Sequence, residues 1–229
     1  MSKALTPTLD RFVERDPRVL RVYRRAREGY NRHALAHHNF LHILRDLSRA
    51  LVIAETEPSV DYGILIPAVL LHDIGFFAPE YKTLGHDVTG ARLAREWLLE
   101  LGGYDEAQIE AICHCVRAHK AKAEMPRSLE AQVLYDADVL EKAGLVYLMF
   151  GGKVSCEFDE PIEHFLTREN VDRAKEVKRG FFTAKARELD NGRLERTLRL
   201  LAELDTEVRT ERSDVLLDES SLWAGRAPE

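Results

Sequence analysis

The sequence predicts an all-α fold, and three observations carry that prediction. Apolar residues recur at three- and four-residue spacing; Asp105 with Gln108 makes a capping-box pattern ahead of one such stretch; and the charged residues 168–209 stay helical in pattern, interrupted at Asn191-Gly192. Phe40, Ile43, Leu44, Leu47 and Leu51 place a helix over roughly 38–55, ended by Thr56-Glu57-Pro58-Ser59. Residues 62–74 include the apolar run 64–71, which periodicity alone cannot separate from a strand. Its neighbours favour helix, with Pro67 tolerated only near a first turn or at a kink. After a Gly75-Phe76-Phe77 turn, a mobile, loop-like segment leads to Gly85, and a helix then runs to Leu101 and stops at Gly102-Gly103. Ile109, Ile112, Cys113 and Val116 line one side of the next helix. A break near Pro126 precedes a helix over 132–143, and residues 213–229 read as a frayed end.

A chain of 229 residues suits one helical domain spanning 1–229. At this size about 70% of the surface can be buried, so folding needs no covalent staple. With 45% hydrophobic and 31% charged residues, the composition is that of an ordinary globular protein rather than a disordered one. Cys113, Cys115 and Cys156 supply neither a disulfide framework nor a Cys-x-x-Cys zinc knuckle, so a cytoplasmic location is expected. Residues 1–11 lack the apolar core of a signal peptide, and no stretch approaches the about 18 apolar residues that span a bilayer, so no membrane role is expected. The net charge is -6, yet residues 11–49 hold ten arginines against Glu14, Asp16, Glu28 and Asp46. That basic run either faces phosphate or forms the solvated side of an amphipathic helix. Nucleic acid is disfavoured by the overall charge and the lack of a recognition module. Gly-x-Gly-x-x-Gly, a phosphate-cradling Gly-rich loop followed by Lys, and Gly-x-Ser-x-Gly are all missing, which removes the common nucleotide folds and serine esterases.

The informative residues are histidines and carboxylates. His72-Asp73 follows the most apolar segment of the chain, where a buried carboxylate needs compensation that a divalent cation provides. Three residues past Val116, His119 continues the inward face of its helix, whereas His114 falls off that face. Asp138 shares a largely apolar face with Leu134 and Leu145, while Asp136 points elsewhere. His42 is phased away from Ile43, Leu44 and Leu47, beside Arg45 and Arg49, so periodicity puts it in solvent unless that face lines a polar cleft. His86 stands at a helix start, after the 75–85 segment.

His38-Asn39-Phe40-Leu41-His42-Ile43-Leu44-Arg45, Ala68-Val69-Leu70-Leu71-His72-Asp73-Ile74-Gly75 and Asp136-Ala137-Asp138-Val139-Leu140 resemble three signature blocks of the HD-domain superfamily of metal-dependent phosphohydrolases, in its branch of small stand-alone hydrolases. An apolar residue often follows the first block's arginine in that branch; here Asp46 stands in its place. The resemblance implies an HD-domain-like helical bundle with additional N- and C-terminal helices and a catalytic core over approximately 34–144. It also implies that His42, His72, Asp73 and Asp138 ligate a divalent metal. Gly85-His86-Asp87 and His119 are similar to the additional ligands of two-metal members, with Asp73 as the bridge. One or two ions are expected, and the donor types do not choose among Mn, Fe, Co and Zn.

The implied activity is hydrolysis of a phosphate ester or nucleotide through metal-activated water. His72, Asp73, His86 and His119 are the catalytic candidates, the last two as ligands or as proton-transfer groups. Arg45, Arg49 and Lys82 are candidate phosphate contacts. The segment 76–85 is a candidate lid, with Phe76, Phe77 and Tyr81 offering apolar surface to a substrate. The same six ligands would also serve an HD-like di-iron oxygenase, and a nucleotide-binding regulatory module with little turnover is the non-enzymatic alternative. In the last third, Val171, Phe181, Phe182, Leu189, Leu194, Leu198 and Leu201 would either cover the core or form a homodimer surface.

Overall fold

In the computed structural model, residues 9–213 are described and all regular elements among them are helices. α1 (Asp10–Arg15) leads into α2 (Arg18–His33), which buries Val19, Val22, Ala26 and Tyr30 and leaves Arg21, Arg24 and Arg27 exposed. Part of the basic run is therefore a solvated helix face. Arg18 pairs with Asp16 at 2.7 Å, and Arg25 lies over the Trp97 ring.

α3 (Phe40–Ala54) starts two residues later than its apolar spacing suggests, because the Asn39 side chain caps it by accepting from the backbone N–H of Leu41 and His42. It is buried on two faces. Ile43, Leu47, Ala50 and Leu51 join the main core, and the adjacent face holds His42 and Asp46. The phase of His42 is thus read wrongly from hydrophobicity: it is 1% exposed, because α8 (Leu129–Glu141) covers that side of α3 through Glu141, which pairs with Arg45 and Arg49.

The 64–71 run is helical, as its neighbours suggest. α4 (Tyr62–Leu71), capped by Asp61, is buried on every side, so it shows no amphipathic period for a sequence pattern to detect. Pro67 stands in its interior rather than its first turn, where it removes a single i→i−4 hydrogen bond while its ring is buried. The chain then turns sharply. A 3-10 helix at Ile74–Phe77 crosses the start of α6 (His86–Leu101) so closely that a Cβ on Gly75 would lie 1.9 Å from the His86 carbonyl oxygen. Between them the supposed loop contains the short α5 (Tyr81–Leu84). Phe77 stacks on His33 with ring centroids 4.0 Å apart and also meets Tyr30, so it packs toward α2.

α7 (Glu106–Ala118) has the expected capping box, with Asp105 and Gln108 each bonded to the other's backbone N–H. Ser128 caps α8, which begins three residues ahead of the expected start. The last third comprises α9 (Leu145–Phe158), α10 (Ile162–Arg179), α11 (Ala184–Asp190) and α12 (Arg193–Ser213). Leu201 joins a separate small core with Tyr147, Val154, Phe165 and Leu166, while Leu194 packs with Tyr135 and Val139 of α8. Val171 is 49% exposed and takes no part. Asp136 ties the two parts together by accepting from the backbone N–H groups of Phe182 and Thr183 and from the Thr183 hydroxyl. Among the described residues no helix is long and apolar enough to cross a membrane.

Candidate metal centre

Four helices and one helix-to-turn junction deliver the chemistry-bearing side chains to one buried point. His42 and Asp46 lie one turn apart on α3; His72 ends α4 and Asp73 follows it; His86 opens α6; His119 ends α7; and Asp138 lies in the last turn of α8. Donor atoms of His42, Asp46, His72 and Asp138 all lie within 4.8 Å of one another, and those of Asp73, His86 and His119 form a second such group. Asp73 stands between them. Its Oδ2 is 3.1 Å from His42 Nε2 and 3.2 Å from His72 Nε2, while its Oδ1 is 3.6 Å from His86 Nε2 and 3.5 Å from His119 Nε2.

The backbone sets the imidazole tautomers. His72 Nδ1 donates to the Val69 carbonyl at 2.8 Å and His119 Nδ1 donates to the Val116 carbonyl at 2.6 Å, which leaves Nε2 of the neutral ring as a lone pair aimed into the cluster. His72 Nε2, His86 Nε2, His119 Nε2, Asp46 Oδ2 and Asp73 Oδ1 are all buried without a hydrogen-bond partner. Such a concentration of orphaned polar atoms is expensive in a dry interior, and a divalent cation in each of the two groups would satisfy them. The residues therefore fit a metal.

Electrostatics point the same way. Burial alone would raise the Asp73 carboxyl, but the imidazoles of His72, His38, His119 and His42 outweigh it and hold Asp73 well below the usual carboxylate range. Burial likewise works against an ionised Asp138, yet the Lys120 and Lys142 ammonium groups, at 3.3 and 2.7 Å from its Oδ2, keep it ionised. Burial would lower His42; the carboxylates of Asp46, Asp73 and Glu141 overcome this and lift it to about 10. Without a cation the cluster holds its own protons, which an arriving metal displaces.

The cluster adjoins a pocket of about 320 Å³, and His86, whose side chain is 19% exposed, borders both. His38, Phe76 and Tyr81 line its core side, while Tyr147 and Phe158 of α9 and Arg168 and Arg173 of α10 line the other. Phe76 stacks on His86 with ring centroids 4.2 Å apart. Glu157 accepts from the backbone N–H of His37 and His38 and from His38 Nδ1 at 2.5 Å, which fixes the His38 ring against the pocket.

The expected phosphate contacts are placed differently. Arg45 pairs with Glu141 at 2.5 Å and Arg49 with both Glu141 and Asp46, so their guanidinium groups brace the cluster from behind and are absent from the pocket lining. Lys82 is exposed on α5, also outside that lining. Of the three supposed lid aromatics, Phe76 and Tyr81 border the pocket and Phe77 does not. His114 lies away from the cluster, paired with Glu124 at 3.1 Å. Asp46, Glu141, Lys120, Lys142 and the α9–α10 residues were not picked out by sequence reasoning. The available signal was spacing: Asp46 follows His42 by four, Glu141 follows Asp138 by three and Lys142 by four, each on one helix face.

The HD domain family model matches residues 39–143. A crystal structure of a predicted HD superfamily hydrolase from an uncultured Thermotogales bacterium is 26% identical, with TM-score 0.53 over 88% of this chain and 99% of that one. Bacillus subtilis YpgQ, solved in complex with ADP, is 19% identical, with TM-score 0.55 over 86% of this chain and 98% of that one, a likeness that bears on the fold. No curated protein matches the sequence. With the His/Asp cluster, these matches make the chain a metal-dependent hydrolase of HD type, with the HD-superfamily fold and its HD domain at residues 39–143.

Proposed function

We propose that the protein hydrolyses a phosphate ester, with nucleotides among its substrates. The observation that carries this reading is the junction of the His/Asp cluster with a pocket whose lining has five lysines and arginines against three acids, together with Phe76, Tyr81, Tyr147 and Phe158. The positive excess suits an anionic group beside the metal centre, and the aromatic walls suit an organic group attached to it. The ADP in the structure of Bacillus subtilis YpgQ, a protein of similar fold, supports a nucleotide as substrate.

His42, His72, Asp73 and Asp138 would hold one divalent ion, and Asp73, His86 and His119 a second. Bound there, the metal supplies Lewis acidity toward a phosphoryl oxygen and lowers the pKa of water. The chain's own residues do the rest. Lys120 and Lys142 keep Asp138 ionised and border the pocket, where they attract phosphate oxygens. Phe76 and Phe158 exclude water from the side of His38 and His86. Burial holds the His86 and His119 imidazoles below their ordinary range, so both present neutral Nε2 lone pairs, as ligands of a second ion or as hydrogen-bond acceptors for water.

The test is phosphate release under anaerobic conditions by purified protein, across Mn²⁺, Fe²⁺, Co²⁺ and Zn²⁺ and a panel of nucleotides, sugar phosphates and other phosphate esters. Release should depend on metal and vanish in Asp73→Asn and His72→Ala that remain folded. Release that survives both substitutions, or turnover only with oxygen consumption, would refute the proposal.

A further inference from the structure

Asp46 is a buried carboxylate whose surroundings are hard to reconcile with a purely structural role. It is 0% exposed and lies one turn beyond His42 on the same face of α3. One oxygen, Oδ1, accepts from Arg49 Nη1 at 2.8 Å. The other, Oδ2, has no hydrogen-bond partner and lies 3.2 Å from His42 Nε2 and 3.7 Å from His72 Nε2. On the reading of the metal centre given above, we propose that Asp46 is a direct ligand of the divalent cation beside His42, His72 and Asp138, with Arg49 as the positioning residue that presents Oδ2.

Two simpler accounts leave Oδ2 unexplained. If Asp46 served only to pair with Arg49, the ion pair would satisfy Oδ1 alone; Arg49 is in any case also held by Glu141 through its other terminal nitrogen. If Oδ2 merely accepted a proton from an imidazole, a donor would be needed. His72 Nε2, 3.7 Å away, is beyond hydrogen-bond reach, and His42 Nε2 is already bonded to Asp73 Oδ2 at 3.1 Å. A carboxylate oxygen left without a hydrogen bond in a fully buried site, with two imidazole nitrogens within 3.7 Å, is compensated by a cation held among them. The donor atoms of all four residues are mutually within 4.8 Å, which suits a shared ion.

The consequence is a more oxygen-rich donor set than two histidines and two aspartates provide. Asp138 has its Oδ2 engaged by Lys142 and Lys120, which partly offsets its charge, whereas Asp46 Oδ2 is free of such contacts. Added carboxylate favours a hard, higher-coordinate ion such as Mn²⁺ over tetrahedral Zn²⁺.

The experiment is calorimetric titration of metal-stripped full-length protein with Mn²⁺ and Zn²⁺, for wild type, Asp46→Asn and Asp46→Ala, with the visible spectrum of each Co²⁺ form and circular dichroism as the folding check. Asp46→Asn preserves shape and stands should Asp46→Ala fail to fold. Mn²⁺ affinity should fall roughly 10- to 100-fold in Asp46→Asn, Zn²⁺ affinity should fall less, and the Co²⁺ bands should change. Folded variants that match the wild-type Mn²⁺ affinity within about twofold, with an unchanged Co²⁺ spectrum, overturn the role of Asp46 while leaving the metal centre intact. Wild type that binds neither ion overturns the centre itself and Asp46 with it.

Discussion

Gly75→Ala tests how the site is built more sharply than removal of any ligand. An added Cβ would lie 1.9 Å from the His86 carbonyl oxygen and 2.7 Å from the Gly90 nitrogen, both backbone atoms with no rotamer to yield. Restoring ordinary contact requires the 3-10 helix and the start of α6 to separate by about 1.5 Å. His86 is the first residue of α6, and its Nε2 lies 3.6 Å from Asp73 Oδ1, so the same movement pulls it from the cluster. Overpacking of this kind costs about 1–3 kcal/mol. For a chain of this length, that corresponds to a fall in Tm of roughly 2–12 °C. Urea unfolding of the metal-free protein gives the stability, and Mn²⁺ titration gives the effect on the site. Gly152→Ala is the control, because a Cβ there meets nothing within 4 Å on helix α9 and should stabilise by about 0.5–1 kcal/mol. Gly75→Ala with stability within about 0.5 kcal/mol of wild type and unaltered Mn²⁺ binding would refute this account of the crossing.

Three other expectations follow from particular contacts. Glu157→Gln removes the charge that holds the backbone of His37 and His38 and the His38 ring, so it should cost about 2–3 kcal/mol in urea unfolding; a cost near zero contradicts the importance of that brace. Burial pushes the thiols of Cys113 up to about 11 and Cys115 up to about 12, whereas Cys156 is exposed, so a thiol reagent at pH 8 should titrate one cysteine in the native protein and all three in denaturant. His42 is held up at about 10 in the metal-free cluster, so metal must displace its proton: log K for Mn²⁺ should rise by about one per pH unit between pH 7 and pH 9. By the converse linkage, the stability that protonated His42 lends the metal-free fold is full below about 6.5 and lost as pH rises through about 10. A flat affinity over that interval argues against a protonated His42.

What could be read in the sequence was whatever hydrophobic spacing or adjacency encodes. His119 follows the apolar face of α7, and Asp138 lies on a buried stretch of α8, so phase finds both. His42 escapes phase because α3 has a second buried face built from ion pairs, and a salt-bridged interface has no hydrophobic period. Arg45 and Arg49 look like solvent-facing or substrate-facing side chains for the same reason: their partner Glu141 is 96 and 92 residues away. Helix α9 has no sequence assignment. Its Gly151-Gly152 pair resembles a break, yet Gly151 is there because Phe165 packs where a Cβ would be, at 2.9 Å. The pocket wall contributed by α9 and α10 was therefore not visible before the structure, although the residues facing it from the core were.

The most direct test is a crystal of the protein soaked in Mn²⁺ and measured for anomalous scattering. The account predicts a peak between Asp73 and the Nε2 atoms of His42 and His72, with Asp138 in contact, and a second peak, if one appears, toward His86 and His119. Full Mn²⁺ occupancy elsewhere on the surface, with those side chains hydrogen-bonded to one another and no peak among them, would contradict it.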